Sequence, residues 1–184
     1  MAISSRSSAS FGLGVLCALC IGLAGGCGYA LAGHGSSLPP SIKTIGIPVF
    51  VNSTTVFNVE TLLTEKVRRE FIGRGKYKVL PQATEVDAVL SGTITSISIA
   101  PVSFTPNQLA SRYTITMTAR IELRQTTGTL LWENPGLVSR QEYEATSGTN
   151  ATDAAAFFGH ETNALDRLSE EFARTIVSAI LEAF

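Results

Sequence analysis

Cys27 is the residue whose chemistry the sequence indicates most directly. It follows Gly25-Gly26 at the end of an apolar run from Phe11 to Ala24. A run of this length is typical of a secretory signal, because a helix that spans a bilayer needs about 20 apolar residues. We therefore predict a lipoprotein signal peptide over residues 1–26 and a covalent lipid on Cys27, with no other cofactor. Ordinary secretion and an uncleaved anchor are the alternatives that this segment leaves open.

The other cysteines, Cys17 and Cys20, lie inside the apolar run and are removed with it. Acylation uses the thiol of Cys27, so the processed chain has no thiol pair for a disulfide bond. Its stability must then come from a buried apolar core, which a chain of this length can form as one domain.

No group of side chains in the sequence predicts catalysis. His34 lies in the segment before the first predicted strand, and His160 lies near the start of the last helix, beside Glu161, without a second histidine one turn away. A helical metal site is therefore not indicated. The chain has neither a Gly-x-Ser-x-Gly turn nor a glycine-rich phosphate loop after a strand. We therefore predict no catalytic residue, no metal site and no enzymatic activity.

The charge of the chain is nearly balanced, at −1, which argues against a nucleic-acid partner. One segment is locally basic. Its members are Lys66, Arg68, Arg69, Arg74, Lys76 and Lys78. The simpler interpretation is a solvated helix face, and the alternative is a patch that binds the phosphates of a glycolipid through charge-assisted hydrogen bonds.

Two aromatic positions stand out in the predicted strands and their connections. Phe104 and Leu109 lie in the loop between the two longest strands, where they either insert into a partner or fold back on the hairpin. Trp132 follows a turn at a strand position, and we expect it to pack against the core.

The elements that would position these residues are two helices and several strands. The predicted helices are about Asn58–Ile72 and a longer one that begins near Thr152-Asp153, each with apolar residues three and four positions apart. The predicted strands include Thr44–Phe50, interrupted by Pro48, which lacks a backbone donor.

Regular alternation is clearest in the strand Tyr113–Leu123, where apolar residues alternate with threonine and charged residues. The strand before it changes parity, which predicts a bulge near Thr95-Ser96. The strand after it is expected from Leu130 to Glu133 and again, after Asn134-Pro135-Gly136, from Leu137 to about Ala145.

Together these patterns predict the α+β class. We expect a two-layer sandwich in which a mostly antiparallel sheet of four to five strands carries two amphipathic helices on one face. The domain is expected over residues 42–184, after a lipidated tether over residues 27–41 that is rich in Gly, Ser and Pro.

Four short blocks, in this order, resemble the LptE family of lipopolysaccharide-assembly lipoproteins. They are Cys27-Gly28-Tyr29-Ala30-Leu31-Ala32-Gly33, Leu38-Pro39-Pro40-Ser41-Ile42-Lys43-Thr44-Ile45, Ala88-Val89-Leu90-Ser91-Gly92 and Leu131-Trp132-Glu133-Asn134-Pro135. The resemblance extends over essentially the whole chain after the signal.

The resemblance implies a non-enzymatic protein that is lipid-anchored at the outer membrane and faces the periplasm and a barrel lumen. Members act as a plug inside the LptD β-barrel, support its assembly and deliver lipopolysaccharide, which they also bind. The implied partners are an LptD-like barrel, lipopolysaccharide and the outer membrane. Arg112 and Arg140 are the candidate lipopolysaccharide contacts, and Phe104 and Leu109 the candidate barrel contacts.

Two other functions remain open at this point. The block Ile45-Gly46-Ile47-Pro48-Val49-Phe50 with Asn52 is also similar to lipoproteins related to the curli secretion channel and to activators of penicillin-binding proteins. A secretion channel should have adjacent strands with lipid-facing apolar alternation, and only the Tyr113 strand alternates clearly. A periplasmic small-ligand carrier would need a deep apolar pocket.

Overall fold

The computed structural model describes residues 38–104, 106, 110–144 and 151–184, with no account of the side chains of residues 151–160. Cys27, His34 and Leu109 lie outside the described residues. The elements are β1 (Thr44–Gly46), β2 (Val51–Asn52), α1 (Val59–Gly73), β3 (Lys78–Leu80), β4 (Ala88–Phe104), β5 (Ala110–Gln125), β6 (Leu130–Glu144) and α2 (Ala151–Leu181). The α+β class and the two predicted helices are confirmed.

The strands form one six-stranded mixed sheet in the order β3-β1-β4-β5-β6, and β2 also pairs with β4. β1 runs parallel to β3 and β4, and β2 runs parallel to β4, whereas β4, β5 and β6 are antiparallel neighbours. The predicted mostly antiparallel sheet of four to five strands is therefore confirmed in part. Its long strands are antiparallel, but β1, β2 and β3 pair in parallel and bring the number of strands to six. Because α1 carries the chain back before β3, β3 enters the sheet in the direction of β1.

The predicted first strand, Thr44–Phe50, is divided into β1 and β2. Pro48 lies in the gap and offers no N–H to a neighbouring strand. Side chains of α1 bind the backbone of the gap instead: the Arg68 guanidinium donates to the Ile47 carbonyl, and the Phe50 N–H donates to Thr64 Oγ1 at 3.0 Å. The gap is thus held by α1 together with β3, whose Leu80 carbonyl accepts from the Ile47 N–H at 2.8 Å.

The bulge predicted near Thr95-Ser96 is confirmed by a register shift between Ile94 and Ser96. Thr95 Oγ1 donates to the Thr118 carbonyl at 3.1 Å across this shift. The predicted break at residues 134–136 is wrong, because β6 is continuous. The one extra residue of β6 there is accommodated by a shift in the β5–β6 register between Ala119 and Ile121.

The core lies between the helices and one face of the sheet. The buried stripe of α1 is Val59, Leu63, Thr64, Val67 and Phe71. It joins, in one hydrophobic cluster, Leu168, Phe172, Ile176 and Ile180 of α2 and Ile115, Met117, Ala119, Ile121 and Leu123 of β5. Apolar residues three and four positions apart share one face of a helix, and every second residue shares one face of a strand.

Asp87 joins the start of β4 to the start of β1. Its Oδ2 accepts hydrogen bonds from the Lys43 N–H, the Thr44 N–H and Thr44 Oγ1, each at 2.8 Å. The two backbone donors, followed by the Thr44 hydroxyl, lower the pKa of Asp87 below its ordinary value. The ionised carboxylate therefore stabilises the β1–β4 junction.

We predict that Asp87→Asn lowers the melting temperature at pH 7, because it removes the charge that three donors face. The folded-state pKa is below the unfolded value of about 3.9, so the stabilisation is present above that pH and is lost as pH falls through the folded pKa. Thermal unfolding from pH 7 to pH 2 should show that the difference in melting temperature between wild type and variant disappears below about pH 4. The exposed Glu182→Gln is the control. A difference in melting temperature that does not depend on pH would contradict the prediction.

Candidate functional surface

The sheet has an open face, opposite the core, whose central residues are hydroxyls. Along β5, the buried Ile115 and Met117 alternate with the half-buried Thr114, Thr116 and Thr118. Since successive side chains of a strand point to opposite faces, the three threonines lie together on the open face.

The register of β5 with its neighbours sets what surrounds these threonines. On β4, Ala100, Ser98 and Ser96 lie opposite Thr114, Thr116 and Thr118, and on β6 the opposite residues are Glu142, Arg140 and Val138. Directly opposite residues lie on the same face. We call this surface the hydroxyl face and define it as Ser96, Ser98, Ala100, Thr114, Thr116, Thr118, Arg120, Val138, Arg140 and Glu142.

The two predicted lipopolysaccharide contacts differ in their charge environment. Arg112 lies 3.7 Å from Glu142 and 3.8 Å from Glu144, so its charge is partly neutralised. Arg140 lies opposite Thr116 and makes neither a hydrogen bond nor an ion pair with any residue that the structure describes. Its guanidinium is therefore open to an external anion.

Arg120 is a third arginine on the open face, and the sequence analysis did not single it out. It pairs in register with Thr93 and, within the described part of the chain, forms no ion pair. The signal that could have identified it is its place in the β5 alternation, two residues after Thr118. The structure thus places Arg120 and Arg140 on the hydroxyl face.

Members of the basic segment around α1 hold the two helices together. Lys66 Nζ is 2.9 Å from Asp166 and 3.7 Å from Glu170 of α2, and its side chain is only 11% exposed. Arg74 donates to Ser178 of α2 at 3.0 Å. These contacts favour a structural role for both residues over a glycolipid patch.

Arg68, in the same segment, binds the backbone of the gap between β1 and β2. Its Nε and Nη2 atoms donate to the Ile47 carbonyl at 2.9 and 2.6 Å, and Nη1 pairs with Glu65. The side chain is 15% exposed. The charge is therefore used inside the fold.

The predicted barrel contact Phe104 lies at the end of β4 and is 61% exposed. Its side chain therefore does not enter the core, and its contact with a barrel stays a prediction. The other predicted contact, Leu109, lies outside the described residues. Trp132 is half-buried and packs against the hydrophobic cluster, which confirms its predicted contact with the core.

Tyr143, near the end of β6, is a buried polar residue. Its ring stacks on Tyr113 with centroids 5.7 Å apart, and its hydroxyl has no hydrogen-bond partner among the described residues. Burial raises the pKa of Tyr143, with a further contribution from Glu161 and then Tyr113. The neutral hydroxyl is therefore kept at physiological pH.

The described ranges contain no group of three or more His, Cys, Asp or Glu side chains arranged to hold a metal ion. In the same residues no helix is both long enough and apolar enough to span a bilayer. One shallow groove on the described surface is lined by Arg112, Glu142, Tyr143, Glu144 and Arg167.

The family model LptE, described as lipopolysaccharide-assembly, matches residues 42–180. The chain belongs to the LptE family. This confirms the predicted family, and the match covers every strand and nearly all of α2. LptE proteins are assembly lipoproteins rather than enzymes, so the family agrees with the prediction of a non-enzymatic role in lipopolysaccharide assembly.

Solved structures are similar to this LptE chain at low identity. The PelC dodecamer from Paraburkholderia phytofirmans is 12% identical, with a TM-score of 0.50 over 78% of this chain and 90% of that one. Rare lipoprotein B from Shewanella oneidensis is 12% identical, with a TM-score of 0.46 over 74% and 96% of the two chains. At such identity the likeness to PelC concerns the fold alone. None of the curated proteins matches the chain.

We predict that Arg68→Ala lowers the free energy of unfolding of this LptE chain by about 2 kcal/mol, because the Ile47 carbonyl loses charged hydrogen bonds. Arg69→Ala is the matched control, since Arg69 is exposed and adjacent on the same helix. Urea unfolding at pH 7 measures both variants. Equal stability of the two variants would contradict a structural role for Arg68.

Proposed function

We propose that this LptE chain is an outer-membrane lipoprotein that fills the lumen of an LptD-like β-barrel and supports both barrel assembly and delivery of lipopolysaccharide to the surface. The observation that carries the proposal is the hydroxyl face. Thr114, Thr116 and Thr118 at its centre are polar and uncharged, and the lumen of an outer-membrane barrel is polar too. A surface of short hydroxyl side chains can approach such a wall closely while its hydrogen bonds are exchanged for those to water.

The proposed anchor is a lipid on Cys27 after removal of residues 1–26. Leu38, the first described residue, follows Cys27 by 11 positions, so the tether spans at most about 38 Å when extended. Stable membrane attachment needs more than one acyl chain. Confining the domain to the membrane surface raises its effective concentration near a barrel.

We also propose that the open face contacts lipopolysaccharide directly through arginine. Arg140 and Arg120 are the better candidates than Arg112, because their guanidinium groups are not occupied by described carboxylates. A guanidinium binds phosphate oxygens in a bidentate manner. The threonine hydroxyls between the two arginines suit the sugar hydroxyls of the same glycolipid.

The secretion-channel alternative receives less support. A channel strand would carry a row of apolar residues toward lipid, whereas the open face of β5 carries Thr116, Thr118 and Arg120.

The main experiment is co-purification of the tagged full chain with the LptD-like barrel from its own host. We expect the two proteins to co-purify, and Thr118→Glu to lower the yield of barrel about tenfold, because Thr118 lies opposite Ser96 and Val138 and a charge there would be buried against the lumen wall. The exposed Thr61→Glu on α1 is the control. A folded wild-type chain that leaves the barrel behind would refute the proposal.

A second prediction concerns lipopolysaccharide itself. Arg140→Ala and Arg120→Ala should each weaken binding of purified lipopolysaccharide by roughly 10- to 100-fold, the loss of charge-assisted hydrogen bonds. Arg112→Ala should lose less, and Arg174→Ala, on α2, serves as the control for net charge. Titration with fluorescent lipopolysaccharide at two salt concentrations measures these effects, and equal losses in all four variants would indicate nonspecific charge attraction instead.

A further inference from the structure

Among the described residues, the sheet order leaves β3 at one end and β6 at the other, each paired on one side only. A further free edge is the part of β4 beyond Ile94, because β2 pairs with β4 only through Val51↔Thr93 and Asn52↔Ile94. The last backbone hydrogen bond on that side runs from the Ser53 N–H to the Ile94 carbonyl, at 3.0 Å. We call the segment Thr95–Phe104 the free edge of β4.

The edge of β6 and the free edge of β4 differ in charge. β6 carries several features that discourage pairing with another strand, namely Glu133, Pro135, Arg140, Glu142 and Glu144. The free edge of β4 contains no charged residue at all. Proteins protect edge strands with charges, prolines and bulges, since an unprotected edge pairs readily with another chain. Only Pro101 and the flanking register shifts interrupt the free edge of β4.

Exposed apolar side chains are concentrated on the same side of the molecule. Ile99, Val102 and Phe104 of the free edge are 42%, 51% and 61% exposed, and Val51 of the adjoining β2 is 59% exposed. Along the free edge these residues are separated by Ala100, Pro101 and Ser103, which are small and uncharged. Unpaired backbone N–H and C=O groups that are flanked by exposed apolar side chains favour the addition of an extended segment as another strand.

We propose that the free edge of β4 receives an extended, uncharged segment of the barrel partner as an additional strand of the sheet. The identity of the partner rests on the proposed function. Every second residue of the edge presents its N–H and C=O outward to the added strand. An apolar side chain of the segment would then pack against Ile99 and Val102.

The size of the edge argues for a segment of an already bound partner rather than for a second copy of this chain. Regular pairing with β5 extends only from Ser96 to Pro101, between two register shifts. A symmetric pair of such short strands buries less than the roughly 1,000 Å² of a stable interface. A partner held by other contacts presents its segment at high effective concentration, so a short strand is sufficient.

The first test places a photo-crosslinking amino acid at Val102 in the full chain expressed in its host. We expect a covalent adduct with the barrel protein, mapped by mass spectrometry to an uncharged segment. The control position is Ile72 on α1, which is 59% exposed but lies on no strand edge, and it should give at least tenfold less adduct. The proposal is overturned if the adduct forms with a second copy of the chain or with lipid only, or if no adduct forms.

The second test needs no substitution at the edge. Hydrogen exchange of the backbone amides in Thr95–Phe104 should slow about tenfold in the purified complex relative to the free chain, because new hydrogen bonds form there. Unchanged exchange rates in an intact complex overturn the strand pairing alone. A wild-type chain that does not co-purify with the barrel refutes the proposed function, and the partner assignment fails with it.

A third measurement adds a charge to the free edge of β4. Val102→Lys should lower the yield of co-purified barrel about tenfold, whereas Ile72→Lys should leave it within about twofold, the tenfold loss corresponding to 1.4 kcal/mol. Thermal unfolding verifies that both variants are folded. Equal yields for the two folded variants would count against the free edge as the docking site.

Discussion

β5 lies between β4 and β6, and the alternation of its side chains divides the molecule into a buried face and an open one. Ile115, Met117, Ala119 and Ile121 enter the hydrophobic cluster with both helices. The residues between them must then face away from the core, because successive side chains of a strand point to opposite faces of the sheet. A slip of one residue in register would exchange the two sets and bury threonine and arginine. Core and candidate surface therefore depend on the same pairing.

The helices explain why a basic segment does not act as a basic surface. Lys66 reaches the carboxylates of α2, and Arg68 donates to a carbonyl in the gap between β1 and β2. Each charge is placed where an unpaired acceptor or anion would otherwise be costly. The cations that remain open to an external anion include Arg120 and Arg140, which lie on the sheet rather than on the helix. Charge that looks equivalent along the chain is thus divided between structural and surface roles.

The two sides of the long strands differ in a way that suits a protein with a large partner. The hydroxyl face is broad and polar, which suits contact with a hydrated wall. The free edge of β4 is narrow, uncharged and bordered by Ile99, Val102 and Phe104, which suits a single extended segment. β6, at the end of the sheet order, carries charges that hinder strand addition. The hydroxyl face, the free edge of β4 and the edge of β6 thus differ in polarity and charge.

Much of this architecture could be predicted from the sequence. Local periodicity located both helices within a residue or two, the buried stripe of α1, the bulge near Thr95-Ser96 and the wet face of β5. These features depend on neighbours within a few positions, where the spacing of apolar residues reports directly on the backbone. The order of short sequence blocks also indicated the LptE family, which the family match confirms.

What the sequence could not determine was pairing between distant segments. β2 and β3 have two and three residues, too few to show a period, and their parallel partners are chosen by the path of α1 over the sheet. The difference between Arg112 and Arg140 has the same origin, because it depends on which residue of the neighbouring strand lies opposite each, Glu144 for Arg112 and Thr116 for Arg140. The sequence by itself thus determined the elements, their buried sides and the family. Only the tertiary structure decided which charges are neutralised and which strand edge is left open, since both depend on contacts between residues far apart in the chain.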